Sequence, residues 1–266
     1  MNFEERTKEF LIKQYERAFV KKLETDGIHT HVLKNKEDNF FLYNNQLLKR
    51  TQFHRWAGSL KSSQAMAYNL FSKLDSATFE YALPALDSKA PAILDVKITC
   101  HSGKLIKLYE VKMMEFTTNS KIDFSNRYFD PKEYGDTREI YANEFVAFLR
   151  EVRHHFKERT VYGSGVKQLC CHLLGIVKHC LYNEPEENVK YKLYSMCFDG
   201  WADAKFQEKL HSYKKVLDEF QVLVNAFIKK VSLDEKVEYL GFVGTNSFIS
   251  GCKDNIYKEC IIRYVS

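Results

Sequence analysis

Three residues near the middle of the chain have the types and spacing to do chemistry together: Asp95, Glu110 and Lys112. Asp95 lies in the β-rich run AILDVKITC (92–100), while Glu110 and Lys112 lie in LIKLYEVKMM (105–114). Between the runs stand His101, Ser102, Gly103 and Lys104, and Ser-Gly in such a place signals a hairpin. If Ser102 and Gly103 form a two-residue turn, facing residues have numbers that sum to 205, so Asp95 faces Glu110. Lys112 shares their face, because strand side chains alternate with period two. Two carboxylates ~5 Å apart at an effective dielectric of ~20 repel by about 3 kcal/mol. Folding alone gives no reason to place like charges across a ladder. A divalent cation between them turns the repulsion into coordination. Two carboxylates, a backbone carbonyl and waters suit Mg²⁺, with Mn²⁺ as a substitute. Such an ion lowers the pKa of a bound water and neutralises charge on phosphorus, and Lys112 then orients the water or stabilises the developing charge. The chemistry is phosphodiester hydrolysis.

The plainer reading is a solvated strand face. Six (D/E)-x-K tripeptides occur in the chain, starting at Asp87, Asp95, Glu110, Asp130, Asp203 and Asp234. Glu110–Lys112 is set apart by its apolar strand, its tight turn and the acid that faces it. A slip of register by one residue removes the pairing.

Those residues need a scaffold, and the chain is rich enough in apolar material to build one. Of 266 residues, 45% are hydrophobic and only 11 are Gly and 4 Pro, which argues against disorder and collagen-like structure. Helical spacing covers 3–24, with Gly27 as a stop, and 63–74, where Ser62 or Ser63 caps the start. Strands are expected at 79–83, 92–100 and 105–114, and 115–136 reads as a long polar loop. Helices at 137–158 and 165–182, a strand at 188–198, a long helix at 202–231 and a strand near 237–243 follow, while 254–264 is ambiguous. This order predicts an α/β fold, a mixed sheet flanked by helices. One domain spans 1–266, with a core at about 60–200 and helical additions at both ends.

The N-terminus MNFEERTKEF is charged from its fourth residue, and no apolar run approaches the ~18 residues of a membrane span. A soluble, cytoplasmic protein is the expectation. Seven cysteines without a C-x-x-C pair predict free thiols rather than a zinc ribbon. Cys170, Cys171 and His172 are neighbours on a helix, point in different directions and cannot chelate one ion. The formal charge of +5 permits an anionic partner without requiring one.

The segments RTQFHRWAGSLKSSQAMAYNLF (50–71), LYEVKMMEF (108–116) and YGSGVKQLCCHLLGI (162–176) carry a resemblance. Together with Asp95 they resemble the PD-(D/E)xK nuclease superfamily, and more specifically a family of bacterial restriction-endonuclease-like proteins, over roughly residues 50–180. The resemblance implies a restriction-endonuclease-like core and Mg²⁺-dependent hydrolysis of DNA. It makes Asp95 and Glu110 metal ligands, the Val111 carbonyl a third, and Lys112 the catalytic lysine. Leu94 stands where the superfamily name has proline. Many relatives add a glutamate from the first core helix, where this chain has Gln64, so one metal or two are both open. Such enzymes are commonly two-fold related, which implies a homodimer. A catalytically silent binding or interaction module on the same fold is the alternative.

Other residues support or compete with this site. Ser63 and Gln64 open the helix before the sheet, either as substrate contacts or, for the serines, as simple caps. The helix from 165 is apolar on most sides but carries a polar line of Gln168, His172, Gly175 and His179. Gln168 resembles a glutamine that relatives place on this helix, and His172 is either a core histidine or a functional one. Gly163-Ser164-Gly165 offers backbone N–H groups to a phosphate, or is only a turn. Arg150, Arg153 and Lys157, with His154 beside them, form a stripe that tracks a phosphate backbone or simply faces solvent. Lys49, Arg50, His54 and Arg55 interleave with Phe53 and Trp56, a mixture that suits nucleic acid or anchors a loop.

Overall fold

A computed structural model describes residues 1–40, 53–87, 89–135, 137–157, 159, 161–182, 188–252, 256 and 258–265. Helix α1 (Phe3–Phe19) starts with a capping box in which the Asn2 side chain accepts the Glu5 N–H and Glu5 reaches back to Asn2. Leu11, Tyr15 and Ala18 bury its inner face. It ends before the predicted residue 24, at a left-handed Val20 with φ 54°. Helix α2 (Ser63–Phe71) is capped by Ser62, whose side chain accepts the Ala65 N–H at 3.1 Å. Seven of its nine residues are buried, so it is a core element rather than a surface one.

Strands β1 (Ala77–Leu83), β2 (Ala92–Cys100) and β3 (Leu105–Lys112) follow as an antiparallel meander. The segment predicted as a polar loop holds short 3₁₀ turns and buries Phe116, Phe124, Tyr128 and Tyr134. Polar composition hid these aromatic anchors. Helices α3 (Glu139–Phe156) and α4 (Gly163–Tyr182) then cross to strand β4 (Lys190–Cys197), which lies parallel to β3. Helix α5 (Ala204–Lys230) leads to β5 (Val237–Gly244), parallel to β4. The ambiguous end resolves into two short helices, α6 (Thr245–Gly251) and α7 (Lys258–Tyr264).

The architecture is therefore mixed α/β, with five strands in the order β1-β2-β3-β4-β5 and seven α-helices among the described residues. Aromatic packing shows what covers each face. On one face Tyr109 of β3 meets Phe71 of α2 and Phe248 of α6, and stacks on Tyr194 of β4 at 4.8 Å. On the other, Phe220 of α5 meets Tyr239 of β5, and α3 stacks on α5 through Phe148 and Phe227. Helix α4 also lies on this second face and approaches β1 closely at Gly175, where a Cβ would sit 2.4 Å from the Leu83 carbonyl oxygen. Among the described residues no helix is long and apolar enough to cross a membrane.

Candidate active site

The hairpin that carries the three central residues has the predicted register. Its pairs run from Val96–Tyr109 to Cys100–Leu105, each summing to 205. Ser102 (φ 55°, ψ 36°) and Gly103 (φ 93°) are both left-handed, as a hairpin turn of type I′ requires, and the Lys104 N–H donates to the His101 carbonyl. The ladder stops at Val96–Tyr109. The next N–H of β3 that faces β2, that of Val111, donates instead to Asp95 Oδ2 at 2.6 Å. The Asp95 carboxylate thus occupies the place of a ladder carbonyl, where β2 and β3 begin to separate.

Glu110 and Lys112 lie on the sheet face covered by α4. Lys112 Nζ donates to Glu110 Oε1 at 2.5 Å and to Gln168 Oε1 at 3.0 Å. His172 Nε2 is 2.8 Å from Glu110 Oε2. The polar line along α4 therefore meets the charged row of β3, with Gln168 on the lysine and His172 on the glutamate. Glu110 is 2% exposed, Lys112 5% and His172 0%, so this is a dry network. His172 Nδ1 is buried without a hydrogen-bond partner among the described residues. A tautomer with its proton on Nε2, donated to Glu110, leaves only a lone pair at Nδ1 and is the cheaper arrangement.

Burial opposes ionisation of Glu110, but Lys112 and His172 outweigh it and hold the carboxyl at about 2. Burial likewise opposes the Lys112 charge, and Glu110, Glu115 and Asp95 together push its pKa above the ordinary value. Asp95 goes the other way. Burial and the Glu110 charge raise it well above the usual carboxylate range, only partly offset by Lys112 and the Val111 N–H. The row thus holds one carboxylate stabilised by its neighbours and one that is not.

Asp95 is half-buried at the inner wall of a cleft of about 630 Å³, which α2, the start of β1 and β2, and the 53–64 segment enclose. Gln64 bridges the cleft wall: its Oε1 accepts the His54 N–H at 3.0 Å, and its Nε2 donates to Glu80 Oε1. Glu80 stands opposite Asp95 on β1, between the pairs Phe79–Val96 and Tyr81–Leu94, and its φ of 55° interrupts the ladder there. Glu115 completes the acidic lining, its Oε2 accepting the Met114 N–H. Glu80 and Glu115 are the site residues that sequence reasoning missed. The signal for Glu80 was hidden by the long connection 84–91, which leaves the β1–β2 register unset by any turn.

The remaining sequence candidates are distributed unevenly. Ser62 is the helix cap and Ser63 lines the cleft beside Gln64. Leu94 is fully buried and pairs with Tyr81. Arg150 and Arg153 are exposed on α3, with Arg153 over the Phe129 ring at 5.5 Å, and neither lines the cleft. His154 and Lys157 are exposed on the same segment. The N–H groups of Gly163, Ser164 and Gly165 are taken by Ser120 O, Ser120 Oγ and Tyr162 O, so the turn reading holds there. A Cβ on Gly163 would lie 2.5 Å from the Ile122 nitrogen, which explains glycine at that position. Cys171 Sγ reaches Tyr128 while His172 reaches Glu110, so these neighbours do point apart. Lys49 and Arg50 lie outside the described residues.

Among the described residues no three His, Cys, Asp or Glu side chains gather closely enough to hold a metal ion by themselves. Mg²⁺ asks for less, since it keeps several waters and binds through one or two carboxylates. Asp95 and Glu110 are the carboxylates that could serve it. Asp95 Oδ1 has no hydrogen-bond partner among the described residues, and the Val111 carbonyl lies on the same strand edge as its N–H. Burial first and the Glu110 charge second raise the Asp95 pKa, and a bound cation would oppose both. No known family model, curated protein or solved structure matches this chain.

Proposed function

We propose that this chain is a divalent-metal-dependent deoxyribonuclease of the restriction-endonuclease-like, PD-(D/E)xK kind, hydrolysing phosphodiester bonds in DNA. The observation that carries the reading is the Asp95–Val111 hydrogen bond at 2.6 Å, with Glu110 and Lys112 flanking Val111 in sequence. A carboxylate that leaves solvent to interrupt its own ladder, beside a second carboxylate, pays an electrostatic cost that a bound cation removes. The element order also supports it: a buried helix, a three-stranded meander, a helical crossover and a parallel fourth strand.

In this reading Asp95, Glu110 and the Val111 carbonyl would hold Mg²⁺ or Mn²⁺. When bound, the ion would supply charge neutralisation at phosphorus and an acidified water. Lys112 stays an ammonium, because its carboxylate neighbours raise its pKa, so it acts by electrostatics and not as a base. Gln168 and Glu110 fix the direction of its N–H groups. His172 holds Glu110 from behind, the role of an outer partner that orients a ligand.

A second reading has its own observation. Glu110 and Lys112 are almost closed to solvent, and both oxygens of Glu110 are engaged by Lys112 and His172. That closure favours a catalytically silent nucleic-acid-binding module on the same fold. Incubation of supercoiled plasmid with the protein in Mg²⁺, Mn²⁺ or EDTA separates the two. The nuclease reading expects metal-dependent nicking that Asp95→Ala and Lys112→Ala abolish while DNA binding persists. Full activity in either variant, or DNA binding without cleavage in any metal, counts against it.

A further inference from the structure

The cleft beside Asp95 has a rim that phosphodiester chemistry does not itself require. Trp56 is 43% exposed and Ile93 52%, and both line the cleft. Their neighbour Phe53 packs on Phe40 at 5.0 Å and anchors the segment, which leaves Trp56 as the presented ring. The backbone under Trp56 is held in place. Its N–H reaches His54 Nδ1 at 3.3 Å, its carbonyl accepts the Ser59 N–H at 2.9 Å, and the Ala57 N–H reaches the His54 carbonyl at 3.0 Å. Arg55 lies over the Trp56 ring, 5.1 Å from its centroid, and the His29 ring packs on Trp56 at right angles with centroids 5.7 Å apart, so the exposed remainder of the ring is what a base would meet; Lys61 lines the same cleft. An exposed large aromatic on a fixed turn, flanked by cations and opening onto a recessed cleft with acidic residues in its lining, is a stacking platform.

We infer that this rim binds an unpaired base of a single-stranded DNA segment, with Trp56 stacking on the base and Arg55 and Lys61 drawing the flanking phosphates. The inference rests on the DNA reading above and narrows its substrate class. Three arguments select an unpaired base. Within a duplex each base face is covered by its neighbours, so a ring on the protein can stack only on a base that is terminal, extruded or unpaired. Without a bound cation the cleft floor, with Glu80, Asp95 and Glu115, disfavours phosphate, while Glu80 and Glu115 offer acceptors to the amino groups of bases. A volume of about 630 Å³ is of the size that encloses a small organic ligand, not a double helix.

The test uses the tryptophan itself. The chain has two tryptophans, Trp56 and Trp201. Trp201 stacks on Phe10 at 4.8 Å, away from the cleft, so a Trp201→Phe background leaves Trp56 as the sole reporter. Titration in EDTA with a 12-nucleotide oligodeoxycytidylate, and separately with a blunt duplex of the same length, avoids cleavage. The expected result is quenching of Trp56 emission by the single strand at concentrations where the duplex gives little. In the full chain, Trp56→Ala should weaken single-strand binding about tenfold, within the range of one base–aromatic stack, and Trp56→Phe should restore most of it. A Trp56 that is silent toward the single strand, or binding that Trp56→Ala leaves unchanged, overturns the inference whatever the plasmid assay returns. Quenching by the single strand without cleavage in Mg²⁺ or Mn²⁺ upholds it and removes the nuclease reading instead.

Discussion

Asp95 and Glu110 sit one strand apart and titrate in opposite directions, which gives each a separate signature. Glu110 is held at about 2, below its ordinary 4.5, so its contribution to stability is present above 4.5 and is lost as pH falls toward 2. Asp95 is raised above its ordinary 3.8, so its contribution is present below 3.8 and is lost as pH rises through its elevated value. At neutral pH, above the ordinary 3.8, the Asp95 carboxyl therefore opposes folding. Asp95→Asn keeps an acceptor for the Val111 N–H while removing the charge. In EDTA at pH 7 its melting temperature should rise by about 2–4 °C, the shift that about 1 kcal/mol gives in a domain of this size. A lower melting temperature would mean that the carboxylate is compensated in some other way. Lys112→Met does the reverse, because it leaves Glu110 buried without its cation. Denaturant unfolding at pH 7 should show a loss of about 3–5 kcal/mol that shrinks as pH falls and Glu110 takes up a proton. An unchanged midpoint would contradict the pairing.

Elements place these residues, and they differ in how plainly the sequence announces them. The β2–β3 register was legible because a two-residue turn fixes it; once Ser102 and Gly103 are the turn, the position of Asp95 against Glu110 follows. The polar line on α4 was legible as a line, yet its targets were not. Only the packing of α4 on the sheet reveals that Gln168 meets Lys112 and His172 meets Glu110. Glu80 escaped because nothing local sets the β1–β2 register, and Glu115 because it lies just past the strand, in a turn that reads as loop. Gly175 governs how closely α4 can approach. In Gly175→Ala the new Cβ meets the Leu83 carbonyl, a backbone group that cannot swing aside, so the helix must shift. A loss of about 1–3 kcal/mol is expected by denaturant titration, as for other overpacked sites. Wild-type stability in this variant would show that the α4–β1 contact is looser than the structure has it.

At the scale of the whole molecule, the N-terminal helix and the mixed sheet were readable from periodicity, whereas the two short C-terminal helices and the cleft were not. The walls of the cleft come from the 53–64 segment, β1, β2 and the turn after β3, which meet only in three dimensions. The stripe of Arg150 and Arg153, prominent in the sequence, lies elsewhere on α3. The proposed cation binding at Asp95 and Glu110 would also appear as global stability, since a ligand that binds only the folded state raises it. Added Mg²⁺ at about 100 times its dissociation constant should contribute about 2.7 kcal/mol, and EDTA should remove the effect. The same addition should leave the melting of Asp95→Ala unmoved. The most direct test compares Mg²⁺-dependent nicking of supercoiled plasmid by the wild type and by Asp95→Asn, with melting temperatures recorded for both. The wild type should nick only with the metal, and the variant should melt higher and not nick. A variant that nicks as fast as the wild type, or a wild type equally active in EDTA, would contradict the nuclease reading.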